Sequence, residues 1–374
     1  MSYKSSFTGT SDSSTHNQPR YQKSEKVIIL GQHGYLGNEN QFIGCFNKIE
    51  EISRGTSKNY YHYSQELKVE NLESQINISK FEQDYKYFMV RTVFSSNIGR
   101  VADQVKELHK IIDALRTITG ITHFYLIGHS KGGLVNMKYS ITYPGEVEKL
   151  ISIGTPYNPN FWGFLQARID DIFAVPAVIE ALHLDGVLAA VHGAIYGLLN
   201  DFLCDEDLGS IVFYEQLKKG WKNLSKSSKP IVYAIGASQI GLNKNPNSGG
   251  DMIVAITSQL ANGYPYINKR KPIISDNYEY ITLDSFWDYL KLKCDVVEQC
   301  KDIYQALKNI NDGVAVLLGF VLAFMIPNNK DNEVYDLIHT RECTNNDVVQ
   351  AVIEACDFVP TTQAELNSSY NAKY

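Results

Sequence analysis

The 374-residue chain has no apolar run long enough to cross a bilayer. Its longest uncharged apolar stretch, residues 314–326, is closed by Pro327 and falls well short of the roughly 20 residues a spanning helix needs, so a buried core helix is expected there. The first 25 residues are rich in Ser, Thr, Gln and Lys and contain no apolar segment, so no secretory signal peptide is visible. A cytoplasmic location is the default expectation, with export by a route that uses no such signal as the alternative. A basic excess is also missing: 35 Lys and Arg against 41 Asp and Glu leave a net charge of −6. That argues against nucleic acid as a partner, because phosphate contacts need a basic surface. Six cysteines (Cys45, Cys204, Cys294, Cys300, Cys343, Cys356) are scattered without a C-x-x-C spacing, which speaks against a zinc site or disulfide scaffold and for buried thiols. The histidines show no ligand spacing, so no metal is expected, and no cofactor either. What the chain does have is a hydrophobic fraction of 44% beside 20% charged residues, enough to build a sizeable core.

Residues 1–25 read as a flexible tail. The run Val-Ile-Ile-Leu at 27–30 then ends in Gly31-Gln32-His33-Gly34, a strand followed by a glycine turn. Residues 87–94 form a second apolar run. From Val101, apolar residues recur through Val105, Leu108, Ile112 and Leu115 at spacings of three and four, the buried stripe of a helix, with Gly120 at the stop position. Short apolar runs at 123–127, 150–153 and 231–235, and a weaker one at 333–338, read as further strands. Strands alternating with helices imply parallel β-α-β units and a mostly parallel central sheet with helices on both faces. Two helical stretches do not fit a minimal sheet. They divide the chain into a core at 26–157, a helical cap insertion at 158–228, and a second core part at 229–374 that carries its own helical insertion at about 284–326.

Gly128-His129-Ser130-Lys131-Gly132 matches G-x-S-x-G, with a strand running in and a helical pattern, Leu134 and Met137, running out. That context identifies a nucleophile elbow: the turn is so tight that the serine is strained, and Oγ is projected at the N-terminus of the following helix, where negative charge is favoured. A serine hydroxyl needs a histidine to take its proton, and the histidine needs an acid to hold its tautomer. In chain order the acid and then the histidine should follow Ser130. Of His183, His192 and His339, the first two lie inside a helical pattern, whereas His339 sits in a loop after the last expected strand and is the candidate base. Ser248-Gly249-Gly250-Asp251 follows the strand at 231–235 and makes Asp251 the candidate acid, ahead of Asp276 and Asp284, which are farther on. An oxyanion hole requires backbone N–H donors; those of Lys131 and of Tyr35, in the first glycine turn, are the candidates.

These pieces resemble the lipases and esterases of the α/β-hydrolase superfamily, most closely bacterial lipases and GPI-inositol-deacylase-like hydrolases. The shared blocks are the His33-Gly34 turn, residues 100–135 around Ser130, Gly154-Thr155-Pro156, the Asp251 loop, and His339 with Asn345-Asn346-Asp347-Val348 behind it. The resemblance implies an α/β-hydrolase fold and acyl-ester hydrolysis through an acyl-enzyme. One departure is Met252, where the family usually has glycine directly after the acid. The cap region, including Phe161, Trp162, Leu188 and Ile195, stands where lipases carry a lid and is expected either to bind the acyl chain or to be a rigid cap whose apolar face is core. Lys218, Lys219, Lys222, Lys226 and Lys229 around Trp221 read as a solvated charged face, with contact to anionic lipid and so a peripheral membrane contact as the alternative. A lipid acyl ester is the leading substrate; thioester hydrolysis, acyl transfer, and a non-catalytic binding role on a degenerate hydrolase fold remain the alternatives.

Overall fold

The computed structural model describes residues 21–35, 39–54, 56, 59–158, 207–208, 210–241, 249–251, 254–264, 267–280, 337, 339 and 342–360. Phe161, Trp162, Leu188, Ile195, Met252 and the insertion expected at 284–326 lie outside these residues. Seven strands form one sheet: β1 (Val27–Gln32), β2 (Tyr60–Lys68), β3 (Tyr87–Val93), β4 (His123–His129), β5 (Lys149–Ile153), β6 (Ile231–Gly241) and β7 (Lys269–Tyr280). Their order is β2-β3-β1-β4-β5-β6-β7, and every pairing is parallel. Among the described residues, five helices of more than ten residues flank it: α1 (Ile43–Ser53), α2 (Val101–Thr119), α3 (Lys131–Thr142), α4 (Ile211–Asn223) and α5 (Asn346–Asp357). This is the α/β-hydrolase fold.

The period-two alternation of strand side chains separates two cores. Ile28, Leu30, Phe88, Val90, Phe124 and Leu126 pack with α2, α3 and α4. Val27, Ile29, Tyr87, Met89, Tyr125 and Ile127, one residue out of phase, pack with α1 and α5. Burial on both faces is why the central strands read as continuous apolar runs. Helix α2 ends as its sequence demands: Gly120 takes φ 72° and closes the last turn on the Arg116 carbonyl. Helix α5 is started by Asn345, whose Oδ1 accepts from the N–H groups of Asp347 and Val348.

Some expectations need adjusting. Residues 21–25, at the end of the expected tail, include a single 3-10 turn (Lys23–Glu25), and the Tyr21 N–H donates to Asp84 at 2.8 Å. Helix α4 falls within the stretch assigned to the cap, yet its Tyr214, Leu217 and Trp221 are buried in the same core as α2 and α3. Trp221 is therefore fully buried and offers no aromatic to a lipid surface, and the Lys218 ammonium lies over the Tyr264 ring, 5.0 Å from its centre. No helix among the described residues is long and apolar enough to cross a membrane.

Candidate active site

Ser130 sits at the C-terminal end of β4, a central strand, where ligands gather in parallel sheets. Its backbone is at φ 52°, ψ −126°, a strained conformation for a residue with a Cβ. The strain is held from both sides: the Ser130 N–H donates to the Ile153 carbonyl at 2.9 Å, and its own carbonyl accepts from Gly133 at 3.0 Å. Gly132 lets α3 press against β1, since a Cβ there would lie 2.3 Å from the Gln32 carbonyl oxygen. The Ser130 side chain makes no capping bond to α3, which leaves Oγ to other work.

The turn at residues 33–35 lies beside this elbow because β1 and β4 are in register, Gln32 opposite Gly128. Lys131, the residue after Ser130, is almost wholly buried; its ammonium donates to the Gly99 carbonyl at 2.8 Å and stands 5.5 Å from the centre of the Tyr35 ring. One side chain thus ties the helix that carries one candidate oxyanion donor to the loop that carries the other.

Asp251 and His339 are brought together. His339 Nδ1 and Asp251 Oδ2 are 2.7 Å apart, across 88 residues of sequence, and the His339 backbone N–H donates to the Asp251 carbonyl at 3.0 Å. Asp251 is fully buried, His339 nearly so, and the Val254 N–H donates to Oδ1 at 2.7 Å. An ionised carboxylate with two donors is the partner that fixes a neutral imidazole with its proton on Nδ1, leaving Nε2 to accept. Two glutamines hold the loops. The buried Gln259 side chain bonds Ala237 and Val254, and Gln239 Oε1 accepts from the Leu337 N–H. Ser130 Oγ and His339 Nε2 are not hydrogen-bonded in this structure; such contacts commonly tighten only with substrate present. Of the rival acids, Asp276 falls within β7, and Asp284 lies outside the described residues, as do His183 and His192.

Glu342 was not singled out from the sequence. It is fully buried, accepts from His129 Nε2 at 2.8 Å, and lies 3.5 Å from His339 Nδ1. Gly154 makes the space for it: at φ 57°, with a Cβ that would fall 1.8 Å from Glu342 Oε1, this position excludes any side chain. Burial first, and the nearby Asp251 carboxylate second, hold the Glu342 carboxyl well above the usual carboxylate range. Burial, with His339 beside it, holds His129 well below the usual imidazole range. His129, His339 and Glu342 offer three potential metal-ligand atoms within 4.8 Å of one another. Within the cluster His129 Nε2 and Glu342 Oε1 are hydrogen-bonded, and His339 Nδ1 is turned to Asp251.

These shifts carry a sign for stability. A carboxyl whose folded pKa is raised contributes stability that is present below its unfolded value and lost as pH rises through the folded value. Glu342→Gln cannot ionise, so its melting temperature relative to wild type is expected to improve by a few degrees between pH 5 and pH 8. The lowered histidines act oppositely: burial, with Arg91 nearby, pushes His62 down to about 4, so stability is lost as pH falls from about 6.5 toward 4. Melting curves of wild type and Glu342→Gln across pH check the Glu342 expectation; a constant difference between them would contradict it.

The family described as "Alpha/beta hydrolase of unknown function (DUF915)" matches residues 15–163, a span that includes Ser130, Tyr35 and Lys131 and stops before Asp251 and His339. A comparison with curated proteins finds no match. Among solved structures, the lin2722 gene product of Listeria innocua is similar at 17% identity and a TM-score of 0.43, over 82% of this chain and 96% of that one. A putative cell surface hydrolase from Lactobacillus plantarum is similar at 15% and 0.41, over 85% and 98%. The Bacillus licheniformis lipase BlEst2 in mature form is similar at 14% and 0.40, over 72% and 91%.

Proposed function

We propose that this α/β-hydrolase-fold protein is a serine ester hydrolase that works through an acyl-enzyme, with Ser130 as nucleophile, His339 as base and Asp251 as the orienting acid. The observation that carries the reading is the buried 2.7 Å pair between His339 Nδ1 and Asp251 Oδ2, formed by two loops at the end of the sheet where the strained Ser130 is displayed. In the first half-reaction Ser130 Oγ attacks the ester carbonyl and its proton passes to His339 Nε2. The alcohol leaves with that proton as the tetrahedral intermediate collapses to the acyl-serine. Water then attacks the acyl-serine with His339 again as base, releasing the acid and restoring Ser130. The N–H groups of Tyr35 and Lys131 meet the oxyanion in both halves, a contribution of a few kcal/mol per donor.

Lipid acyl esters are the substrates this reading favours, because the sequence after β5 carries an apolar, helix-like pattern where the resemblance to lipases implies a lid. The test is labelling with a fluorophosphonate, located by peptide mass spectrometry, alongside hydrolysis of p-nitrophenyl esters from acetate to palmitate and of phosphatidylglycerol vesicles. Label on Ser130 with activity rising toward long chains or vesicles supports a lipase. Label with activity on short esters alone points to a soluble esterase. Label with neither calls for thioester and acyl-acceptor assays, and no label at Ser130 overturns the reading.

A further inference from the structure

His129, inside the elbow motif, and Glu342, beside His339, are both buried and hydrogen-bonded to each other, yet the three steps above use neither. The chain of bonds extends further. Gln41, just before α1, accepts from the Gly34 N–H through Oε1 at 3.1 Å and meets His129 Nδ1 through Nε2 at 2.6 Å. The first bond fixes the amide: an oxygen that accepts from Gly34 leaves the NH2 group facing His129. His129 Nδ1 must then accept, so the imidazole proton is on Nε2 and is donated to Glu342 Oε1. One direction of donation runs unbroken through Gly34, Gln41, His129 and Glu342.

The two ends of this chain matter. Gly34 lies against the nucleophile, close enough that a Cβ on it would be 2.6 Å from Ser130 Cβ, and it precedes Tyr35, the candidate oxyanion donor. Glu342 lies three residues beyond His339, with Oε1 3.5 Å from its Nδ1. The chain passes under Ser130 through its immediate neighbour and joins the loop of the oxyanion hole to the loop of the base. Glu342 Oε2 is buried without a hydrogen-bond partner, and an apolar filling would avoid that cost; a purely structural role accounts poorly for a polar chain here.

We infer that Gln41, His129 and Glu342 are positioning residues that couple the oxyanion-hole turn at Gly34-Tyr35 to the His339 loop, so that the donors and the base are set in place together. The inference rests on the serine-hydrolase reading above. Oxyanion donors act on charge that exists only near the transition state, and small displacements of them are felt in turnover. Loss of a link should therefore lower kcat far more than it alters KM.

The test compares wild type with Gln41→Ala, Glu342→Ala, the double variant and Glu342→Gln. It measures kcat and KM on p-nitrophenyl butyrate, the rate of fluorophosphonate labelling at Ser130, and the imidazole 15N shifts of His129. Each alanine variant is expected to lower kcat and labelling about ten- to a hundredfold, with KM within about threefold. The double variant should fall no lower than the weaker single, because both break one chain. Glu342→Gln, which keeps an oxygen for His129, should restore most of the loss. The 15N shifts should report the Nε2–H tautomer in wild type and a mixture in Gln41→Ala, a readout that stands even if Glu342→Ala fails to fold. Losses that multiply, a glutamine variant as poor as the alanine one, or an Nδ1–H tautomer in wild type each overturn the coupling. Wild type that takes no label at Ser130 overturns the hydrolase reading and the coupling with it.

Discussion

Replacing Ser130 with alanine is expected to lower kcat about 10⁶-fold, to the level that binding and the oxyanion donors sustain alone, while the melting temperature stays within a degree or two of wild type. The two halves of this expectation have different origins. Activity falls because, in the proposed mechanism, Oγ carries the acyl group between the half-reactions. Stability holds because the side chain makes no cap bond to α3 and the backbone bonds to Ile153 and Gly133 do not involve it. Alanine keeps the Cβ and therefore the strain of φ 52°. Ser130→Gly makes the contrast: equally inactive, it should gain about 1 kcal/mol from relief of that strain, set against the backbone entropy that glycine loses on folding. A serine that was only a turn residue would show the stability pattern without the loss of turnover, so ester hydrolysis measured beside thermal melting separates the two roles.

The strand, tight turn and helix around Ser130 were legible because their signal is local. A four-to-seven-residue apolar run, two glycines and an immediate helical stripe are all consequences of backbone geometry that neighbouring residues must satisfy. The central strands were legible for a related reason, since burial on both faces leaves no polar alternation. The edge strands hide for the opposite reason. Strand β2, Tyr-Tyr-His-Tyr-Ser-Gln-Glu-Leu-Lys, exposes part of its length, and β7 begins Lys-Arg-Lys-Pro, so neither carries an apolar run. Helix α1 could have been found: Cys45, Phe46 and Ile49 are its buried face, at the spacing that revealed α2. Glu342 and Gln41 had no such signal. A glutamate between Arg341 and Cys343 reads as a surface residue, and only the fold brings it under Gly154 and beside His129. Gly154-Thr155-Pro156, by contrast, stands out in the sequence, and the need for its glycine has a physical cause in the carboxyl packed against it.

Asp251→Asn is expected to lower kcat about 10⁴-fold at neutral pH with little change in fold. Asparagine keeps an oxygen for the Val254 N–H, so a residue that only capped its own loop would tolerate the change; this is what makes the substitution informative. Toward His339 it presents an NH2 group, which forces Nδ1 to accept and moves the imidazole proton to Nε2, the position that must be empty to receive the proton of Ser130. The base is then present in the wrong tautomer. Glu342 gives this variant a second property. Burial first, and the charge on Asp251 second, hold its carboxyl well above the usual carboxylate range, and the substitution removes that charge. Ionisation of Glu342 therefore becomes easier, and its Oε1, 3.5 Å from His339 Nδ1, is placed to act as a substitute acceptor. The residual activity of Asp251→Asn should consequently rise with pH across the range where Glu342 loses its proton, and the double variant Asp251→Asn/Glu342→Gln should lack that rise. A pH profile of kcat for the two variants decides it. If they run parallel, Glu342 does not reach the base. If Asp251→Asn stays within tenfold of wild type, the carboxylate at 251 is a loop cap and the acid of the triad must be sought elsewhere.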